Sequence, residues 1–236
     1  PALAGALIPW AVYLFLRALG MKPLAAGLAG VFLVFDNALL VQSHIILVDA
    51  FLILFGFLGL ACFFASRHRN YDLGRLFLAG IFLALGLSVK WTGIGFWLVA
   101  AIVGAFDAVT LISFPRRDFR RSLSLVSRLF LFLVIIPFIV YFGIFVLHFS
   151  LLPKSGPGDA FMSQEFLRGE KSTVGKFMEL NERMYSANAT LNATHPYSSK
   201  FYTWPFMVRP VYYWVKNFSE GSTGRIYLLG NPVLWW

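Results

Sequence analysis

The chain has 236 residues, of which 58% are hydrophobic and only 13% are charged, and its formal net charge is +9. A soluble domain contains about 25% charged residues, so the composition excludes a soluble globular protein and predicts a polytopic membrane protein. The basic residues cluster between apolar stretches, which the positive-inside rule explains without nucleic-acid binding. The single cysteine, Cys62, excludes an intrachain disulfide. No Cys/His spacing indicates a zinc site, so we expect neither a metal nor a cofactor.

Six apolar stretches approach the length of about 20 residues that a membrane-crossing helix needs. They are Pro1–Leu19, Pro23–Leu40, Ile45–Ser66, Leu76–Ser88, Thr92–Phe114 and Leu129–Leu152. Lipid cannot hydrogen-bond to the backbone, so the spans must be helical. The predicted fold is an all-α helical membrane bundle over residues 1–152, with a large external loop over residues 153–224. The fourth stretch is short, and we expect a tilted or broken helix there.

The two ends of the chain indicate a piece of a longer protein. Pro1–Leu16 lacks the basic segment and the cleavage site of a signal peptide, so we interpret it as part of a span. The apolar run over residues 225–236 predicts the start of a further span, truncated at Trp236.

Three basic groups set the predicted orientation. They are Arg17 with Lys22; Arg67, Arg69 and Arg75; and Arg116, Arg117, Arg120, Arg121 and Arg128. With six spans all three groups fall on one side, which should be the cytoplasm. The opposite side then receives Val41–His44, the turn at Lys90–Gly93 and the polar loop.

Three charges lie close to the predicted outer ends of spans, namely Asp36, Asp49 and Lys90. A charge at the centre of a membrane helix costs about 2.5–3.5 kcal/mol on insertion scales, so each of these groups needs a partner or a polar cavity. Two interpretations stay open for the acids: they cap helices or pair with Lys90, or they line a functional cavity. Lys90 is the best candidate for a lipid-borne phosphate, and snorkelling to the interface is its alternative.

The external loop contains an amphipathic pattern and several polar candidates. Apolar residues recur at helical spacing in Val174, Phe177, Met178, Met184 and Tyr185, with Lys176, Glu179, Glu182 and Arg183 on the predicted wet side. This helix would lie in the outer interface or pack over the bundle. His195 is a candidate acid, base or hydrogen-bond donor, or else a structural histidine. Arg209 could bind a phosphate or a carboxylate, whereas an aromatic belt alone would explain Trp204.

Four stretches of the chain resemble the protein O-mannosyltransferases. They are DNALLVQSHIILVDA at Asp36–Ala50, GLSVKWTGI at Gly86–Ile94, the segment Lys176–Trp214 and IYLLGNPVLWW at Ile226–Trp236. The resemblance implies transfer of mannose, with inversion, from a polyprenyl phosphate (dolichyl phosphate in eukaryotes) to Ser or Thr hydroxyls of proteins. It also implies a membrane glycosyltransferase of the C type, with its active site on the non-cytoplasmic face.

The resemblance places the catalytic acid upstream of Pro1, so we expect no catalytic residue in this chain and no activity of the chain alone. The residues that it marks for carrier or substrate binding are Lys90, Arg209, His195, His44, Asp49, Tyr197 and Trp204. His44 stands where the family commonly has arginine, so it could serve the carrier phosphate only when protonated. The MIR domain of eukaryotic members is missing, which favours a prokaryotic member in the plasma membrane.

The expected partners are a lipid-linked sugar donor, a Ser/Thr-containing protein acceptor and membrane lipids, with a dimer left open and nucleic acid excluded. One alternative is a polyprenyl-phosphate-sugar transferase that acts on a lipid or glycan. The other is a non-enzymatic membrane transporter or scaffold, although transporters commonly show internal repeats and this sequence shows none.

Overall fold

A computed structural model describes residues 1–113, 119–192, 195, 197–219 and 221–235. Two of the predicted cytoplasmic residues, Arg116 and Arg117, therefore lie outside the described residues. The chain forms two compact units, one built from residues 1–138 and 199–236 and the other from residues 139–198. This division differs from the predicted boundaries at residues 153 and 225, which remain an expectation.

The first unit is built mainly from helices. They are α1 (Ala2–Ala18), α2 (Pro23–Val34), α3 (Asn37–His44), α4 (Asp49–Arg67), α5 (Leu73–Val89), a 3-10 turn (Trp91–Gly93), α6 (Ile94–Ser113), α7 (Phe119–Phe130) and a π-helical stretch (Leu131–Ile135) that continues into α8 (Ile136–Leu151). After the second unit come a 3-10 helix (Phe201–Phe206), strands β1 (Val211–Asn217) and β2 (Thr223–Leu228), and α11 (Pro232–Trp235).

Within the described residues, three helices are long and apolar enough to cross a membrane: Asp49–Arg67, Trp91–Leu111 and Arg120–Leu151. The bent pair of α2 and α3 makes a fourth candidate if it counts as one span. Helices α1 and α5 are apolar but have only 17 residues each, the lower limit for crossing the hydrocarbon. The described chain is thus largely helical and contains candidate membrane-spanning helices, and the count of six spans remains a prediction.

Helices α1 and α4 run parallel to each other. Near their starts, Ile8 and Leu54 belong to one buried cluster. Towards their ends, the rings of Phe15 and Phe64 lie 5.9 Å apart between centroids. Because both helices begin and end together, the basic residues that end them, Arg17 and Arg67, lie at the same end of this unit.

The second predicted span is broken at Asp36. Helices α2 and α3 meet at a bend of 58°, where the buried Asp36 carboxylate accepts a 3.0 Å hydrogen bond from the Leu39 N–H. This side-chain cap satisfies an amide at the start of α3. A cap therefore divides an apolar run that predicted one continuous helix.

A two-stranded antiparallel hairpin corrects the all-α prediction. Strands β1 and β2 pair Tyr212 with Tyr227, and an irregularity in the register follows before Trp214 pairs with Ile226. Residues 225–228 consequently lie in a strand, although the sequence predicted the opening of a membrane helix there. The backbone N–H and C=O groups of each strand form hydrogen bonds with the other strand. The sequence of one strand alone does not show that this partner exists.

The second unit contains most of α8, a 3-10 turn (Pro157–Asp159), α9 (Gln164–Leu167) and α10 (Thr173–Ala189). Phe177 of α10 is buried and packs edge-on against Phe142 and Phe145, at centroid distances of 5.1 and 5.2 Å. The predicted amphipathic helix exists, but its predicted faces are partly wrong. Glu179 is buried, whereas Met178 of the predicted apolar face is 63% exposed.

The Glu179 carboxylate can be buried because it forms hydrogen bonds and an ion pair with neighbouring residues. Its carboxylate accepts hydrogen bonds from the Ser163 N–H and hydroxyl and from the Lys171 ammonium, the last two at 2.9 and 2.6 Å. The Lys171 bond, followed by those from Ser163, lowers the pKa of Glu179 to about 2. The loop before α10 therefore folds onto its carboxylate, and the wet-side prediction fails at this residue.

Candidate functional site

Four polar side chains form a continuous chain of contacts at the α4 N-terminal end of the first unit. The Tyr213 hydroxyl donates to the Gln42 amide oxygen at 2.7 Å, and the Gln42 amide nitrogen donates to Asp49 at 2.9 Å. Asp49 also pairs with the Lys90 ammonium at 3.2 Å. The chain joins β1, α3, α4 and the end of α5, so it fixes distant segments around one charged group.

Local structure explains why Asp49 and Lys90 meet. Asp49 is the first residue of α4, where the helix dipole favours a negative charge. Lys90 lies between α5 and the 3-10 turn and has an extended backbone conformation. Its side chain therefore does not continue the helical spacing of α5. The Lys90 side chain is 52% exposed. An ammonium carries three N–H donors, so Lys90 can contact Asp49 and a ligand together.

Tyr213 holds the Gln42 amide in one orientation. Burial and the nearby Asp49 charge raise the pKa of the Tyr213 hydroxyl above its ordinary value, so this group stays protonated at neutral pH and donates. The amide oxygen of Gln42 must then face Tyr213, which leaves its N–H groups for Asp49. The hairpin thereby acts on Lys90 through Gln42 and Asp49.

His44 lines a neighbouring cavity of about 640 Å³. The guanidinium of Arg225 from β2 lines the same cavity, together with apolar side chains, namely Leu40, Ile45 and Ile226. The Nδ1 of His44 lies 2.8 Å from the Leu40 carbonyl oxygen. A carbonyl oxygen only accepts, so Nδ1 carries the proton, and the Nε2 of neutral His44 is an acceptor. Nε2 of His44 could therefore donate to a phosphate only if it also carried a proton, whereas the Arg225 guanidinium carries donors only.

Trp204 and Arg209 line a smaller cavity of about 230 Å³ beside the end of β2. The Trp204 indole N–H donates to the Ser199 hydroxyl at 3.1 Å. The 3-10 helix that carries Trp204 is followed by Met207, which has a left-handed φ of 47°. This turn redirects the backbone between Trp204 and Arg209, so both side chains border one concave surface.

His195 and Tyr197 belong to the second unit and are exposed. The Tyr197 N–H donates to His195 Nδ1 at 3.1 Å, and the Ser198 N–H donates to the His195 carbonyl at 2.9 Å. In neutral His195 the proton therefore resides on Nε2, which is a donor. Approach of His195 to the Lys90 end of the bundle stays a prediction.

The two acids near the predicted outer ends of spans, Asp36 and Asp49, have structural partners. Asp36 caps α3 and also accepts from the Asn231 N–H at 3.4 Å. Asp49 pairs with Lys90, so capping and pairing, one of the two interpretations left open by the sequence, describe both acids. Among the residues that the structure describes, no three His, Cys, Asp or Glu side chains are grouped to hold a metal ion.

Sequence reasoning did not select Gln42, Tyr213 or Arg225 for the site. Gln42 and Tyr213 lie inside stretches that resemble the family, and Arg225 adjoins one. A further omission was Asp107, an acid inside the predicted fifth span, which accepts from Arg67 and from the Tyr71 hydroxyl. The rule that flags charges in apolar surroundings applies to Asp107 as well.

Comparison with known proteins agrees with the sequence resemblance. A family model described as dolichyl-phosphate-mannose-protein mannosyltransferase matches residues 1–153. A second, described as the C-terminal four TMM region of protein-O-mannosyltransferase, matches residues 173–236.

Two named relatives illustrate the similarity. The dolichyl-phosphate-mannose–protein mannosyltransferase 4 of Candida albicans is 33% identical over 178 residues, which cover 70% of this chain and 23% of the relative. The polyprenol-phosphate-mannose–protein mannosyltransferase of Mycolicibacterium smegmatis is 26% identical over 280 aligned positions, which cover 99% of this chain and 52% of the relative. The chain thus spans about half or less of the length of these relatives. By its family matches, it belongs to the protein O-mannosyltransferases.

Proposed function

We propose that this chain is the carrier-binding part of a membrane enzyme that transfers mannose from a polyprenyl phosphate to Ser or Thr hydroxyls of proteins. The observation that carries the proposal is the family match over residues 1–153, which contains Asp49 and Lys90. The names of the relatives favour a protein acceptor over a lipid or glycan. They also disfavour a transporter or scaffold.

Lys90 is proposed to bind the carrier phosphate. During transfer the bond between the mannose anomeric carbon and the phosphate oxygen breaks, and the leaving phosphate gains negative charge. A nearby ammonium stabilises that charge more in the transition state than in the ground state. Asp49 fixes the position of Lys90 at 3.2 Å, and the half-exposed side chain keeps donors accessible. Asp49 is therefore a positioning residue in this proposal.

His44 and Arg225 are proposed as a second pair of carrier contacts. Their cavity combines two nitrogen donors with the apolar side chains of Leu40, Ile45 and Ile226. A polyprenyl phosphate presents the same combination, a charged head on an apolar chain. In this assignment Arg225 supplies a permanent charge, which would compensate for a histidine at the position where the family commonly has arginine.

The residues of the long loop are proposed to contact the sugar or the acceptor. His195 offers its Nε2–H, Tyr197 a phenol and Trp204 an apolar ring, and Arg209 offers a guanidinium for a phosphate or a carboxylate. The base that takes the Ser or Thr proton is proposed to be an acid outside this chain. The proposed location is a prokaryotic plasma membrane, with the Lys90 end on the non-cytoplasmic face.

The test is Lys90→Ala in the full-length enzyme, with polyprenyl-phosphate mannose and a Ser/Thr peptide as substrates. One lost hydrogen bond to a charged group costs about 1.5–3 kcal/mol, so the apparent KM for the carrier should rise or the rate should fall by about ten- to a hundred-fold. The KM for the peptide should change little. Lys216→Ala is the matched control, since Lys216 is an exposed lysine of β1 in the same unit.

Two outcomes would contradict the proposal. Lys90→Ala with unaltered carrier use, in a protein that retains its thermal stability, would leave Lys90 with a snorkelling role only. An equal loss in Lys216→Ala would show that the effect comes from general surface charge. Lys90→Arg, which retains the charge but changes the head group, should keep more activity than Lys90→Ala.

A further inference from the structure

The first unit has a second polar cavity at its other end, away from Asp49 and Lys90. This basic cavity has a volume of about 620 Å³ and lies where α4 ends and α7 begins. Three arginines line it, Arg67, Arg121 and Arg128, and the single acid in its described lining is Asp107. The formal charge of these four side chains is +2, so the cavity is suited to an anion.

The floor of the basic cavity is already built without a ligand. The Arg67 Nη2 donates to Asp107 at 2.9 Å, and a second Arg67 bond makes the contact bidentate. The Tyr71 hydroxyl donates to the same carboxylate at 2.6 Å. Burial, followed by that bond, raises the pKa of Tyr71 above its ordinary value, so the hydroxyl remains a donor. Asp107 thus accepts three hydrogen bonds from Arg67 and Tyr71 and orients both side chains.

The wall formed by the α4–α5 turn is conformationally strained. Asn70 and Tyr71 both have positive φ angles, 53° and 57°, a conformation that is uncommon for residues other than glycine. Such a backbone conformation is strained and persists where the surroundings enforce it. Here Arg128 Nη1 approaches the carbonyls of Asn70 and Tyr71 at 3.4 and 3.5 Å. The turn and α7 therefore form one preorganised wall.

We propose that the basic cavity binds the phosphate of an anionic phospholipid headgroup. Its position favours a lipid as the source of that phosphate. The cavity is bordered by the same-side ends of all three candidate spans that the described residues contain: the C-terminal end of Asp49–Arg67, the C-terminal end of Trp91–Leu111 and the N-terminal end of Arg120–Leu151. Span ends lie at the headgroup level of a bilayer.

The side chains suit a diester phosphate on a lipid. Arginine presents a planar fork of donors that matches phosphate oxygens. Leu111 and Leu125 add an apolar edge to the same lining, against which the first carbons of an acyl chain can pack. Basic pockets between membrane helices are a recognised means of holding anionic headgroups. This site is separate from the proposed carrier site and does not depend on it.

The experiment measures lipid binding to the purified full-length protein in detergent by native mass spectrometry. Phosphatidylglycerol is titrated against the wild type and against Arg121→Gln/Arg128→Gln, with phosphatidylcholine as the neutral lipid. The matched control is Arg17→Gln/Lys22→Gln, which removes the same charge at the same end but outside the cavity lining. We expect phosphatidylglycerol binding to weaken by about ten-fold or more in the cavity variant, and by less than about three-fold in the control.

Three outcomes would overturn the proposal. Equal losses in both double variants would mean that any basic residue at this end attracts the lipid. Displacement of phosphatidylglycerol by inorganic phosphate at comparable concentration would assign the cavity to a free anion. Unchanged binding in a folded cavity variant would exclude the site. Because Arg128 also contacts the α4–α5 turn, Arg121→Glu alone is the second variant, with its melting temperature measured alongside, and it should weaken phosphatidylglycerol binding too.

Discussion

Gln42 transmits the position of the hairpin to Asp49, and its replacement by leucine tests that link. Gln42→Leu removes the neutral bond from Tyr213 at 2.7 Å and the charged bond to Asp49 at 2.9 Å. A hydrogen bond between neutral groups contributes about 0.5–1.5 kcal/mol, and one to a charged group contributes about 1.5–3 kcal/mol. Because the Asp49 side chain is 24% exposed, water replaces part of the loss. We therefore expect Gln42→Leu to cost about 2 kcal/mol, the sum of the two lower limits, which corresponds to a roughly thirty-fold decrease in transfer rate.

Tyr213→Phe removes only the neutral bond, so it should cost about 1 kcal/mol, or roughly five-fold in rate. The double variant Gln42→Leu/Tyr213→Phe should be no slower than Gln42→Leu, because the Tyr213 hydroxyl acts only through Gln42. The assay is mannosyl transfer by the full-length enzyme, with melting temperatures recorded for each variant. Tyr212→Phe is the control: the described structure shows no hydrogen bond from that hydroxyl, and the rate should change by less than about two-fold.

Additivity would refute the reasoning. If the two single losses multiply to about 150-fold in the double variant, the two residues act independently and the contact chain transmits nothing. A Tyr212→Phe loss equal to that of Tyr213→Phe would instead point to general weakening of the hairpin.

Two further predictions concern the second unit and the topology. The Lys171 bond lowers the pKa of Glu179 to about 2 from 4.5, so its carboxylate stabilises the fold above pH 4.5 and loses this effect as the pH falls through 2. The melting-temperature deficit of Glu179→Gln should therefore be constant above about pH 5 and shrink below it; a deficit that grows on acidification would contradict this. In a Cys62→Ala background, an external thiol reagent should modify a cysteine at Lys154, and modification at Arg120 in intact cells would disprove the orientation.

Much of the helical pattern follows from the sequence because apolar runs of this length have few alternatives in a membrane. Helix α4 occupies Asp49–Arg67 against a predicted Ile45–Ser66, and α5 begins at Leu73, with Asp72 capping its first turn. The break at Asp36 was not predicted because one side-chain hydrogen bond decides it. Hydropathy averaged over a window does not register a single cap.

The candidate site could be predicted only where charge made it conspicuous. Asp49 and Lys90 stand out since a charge near lipid is costly, and the structure brings them together. Gln42 and Tyr213 are uncharged, so placing them at the end of a span costs little free energy. The sequence therefore does not single them out as it does the two charged residues. The hairpin that delivers Tyr213 depends on pairing with a strand several residues further along. Glu179 was predicted to face solvent because helical periodicity carries no information about the preceding loop, which covers this side chain.

The contacts of Asn231 have a consequence for how the chain is made. Asn231 lies 195 residues after Asp36, donates to its carboxylate at 3.4 Å, and donates to the Phe35 carbonyl at 3.2 Å. At synthesis rates of about 5–20 residues per second, roughly 10–40 s pass between the two. During that interval the bend between α2 and α3 lacks its contacts with Asn231. A ribosome pause before residue 231 would therefore prolong a state in which the bend lacks the two Asn231 hydrogen bonds.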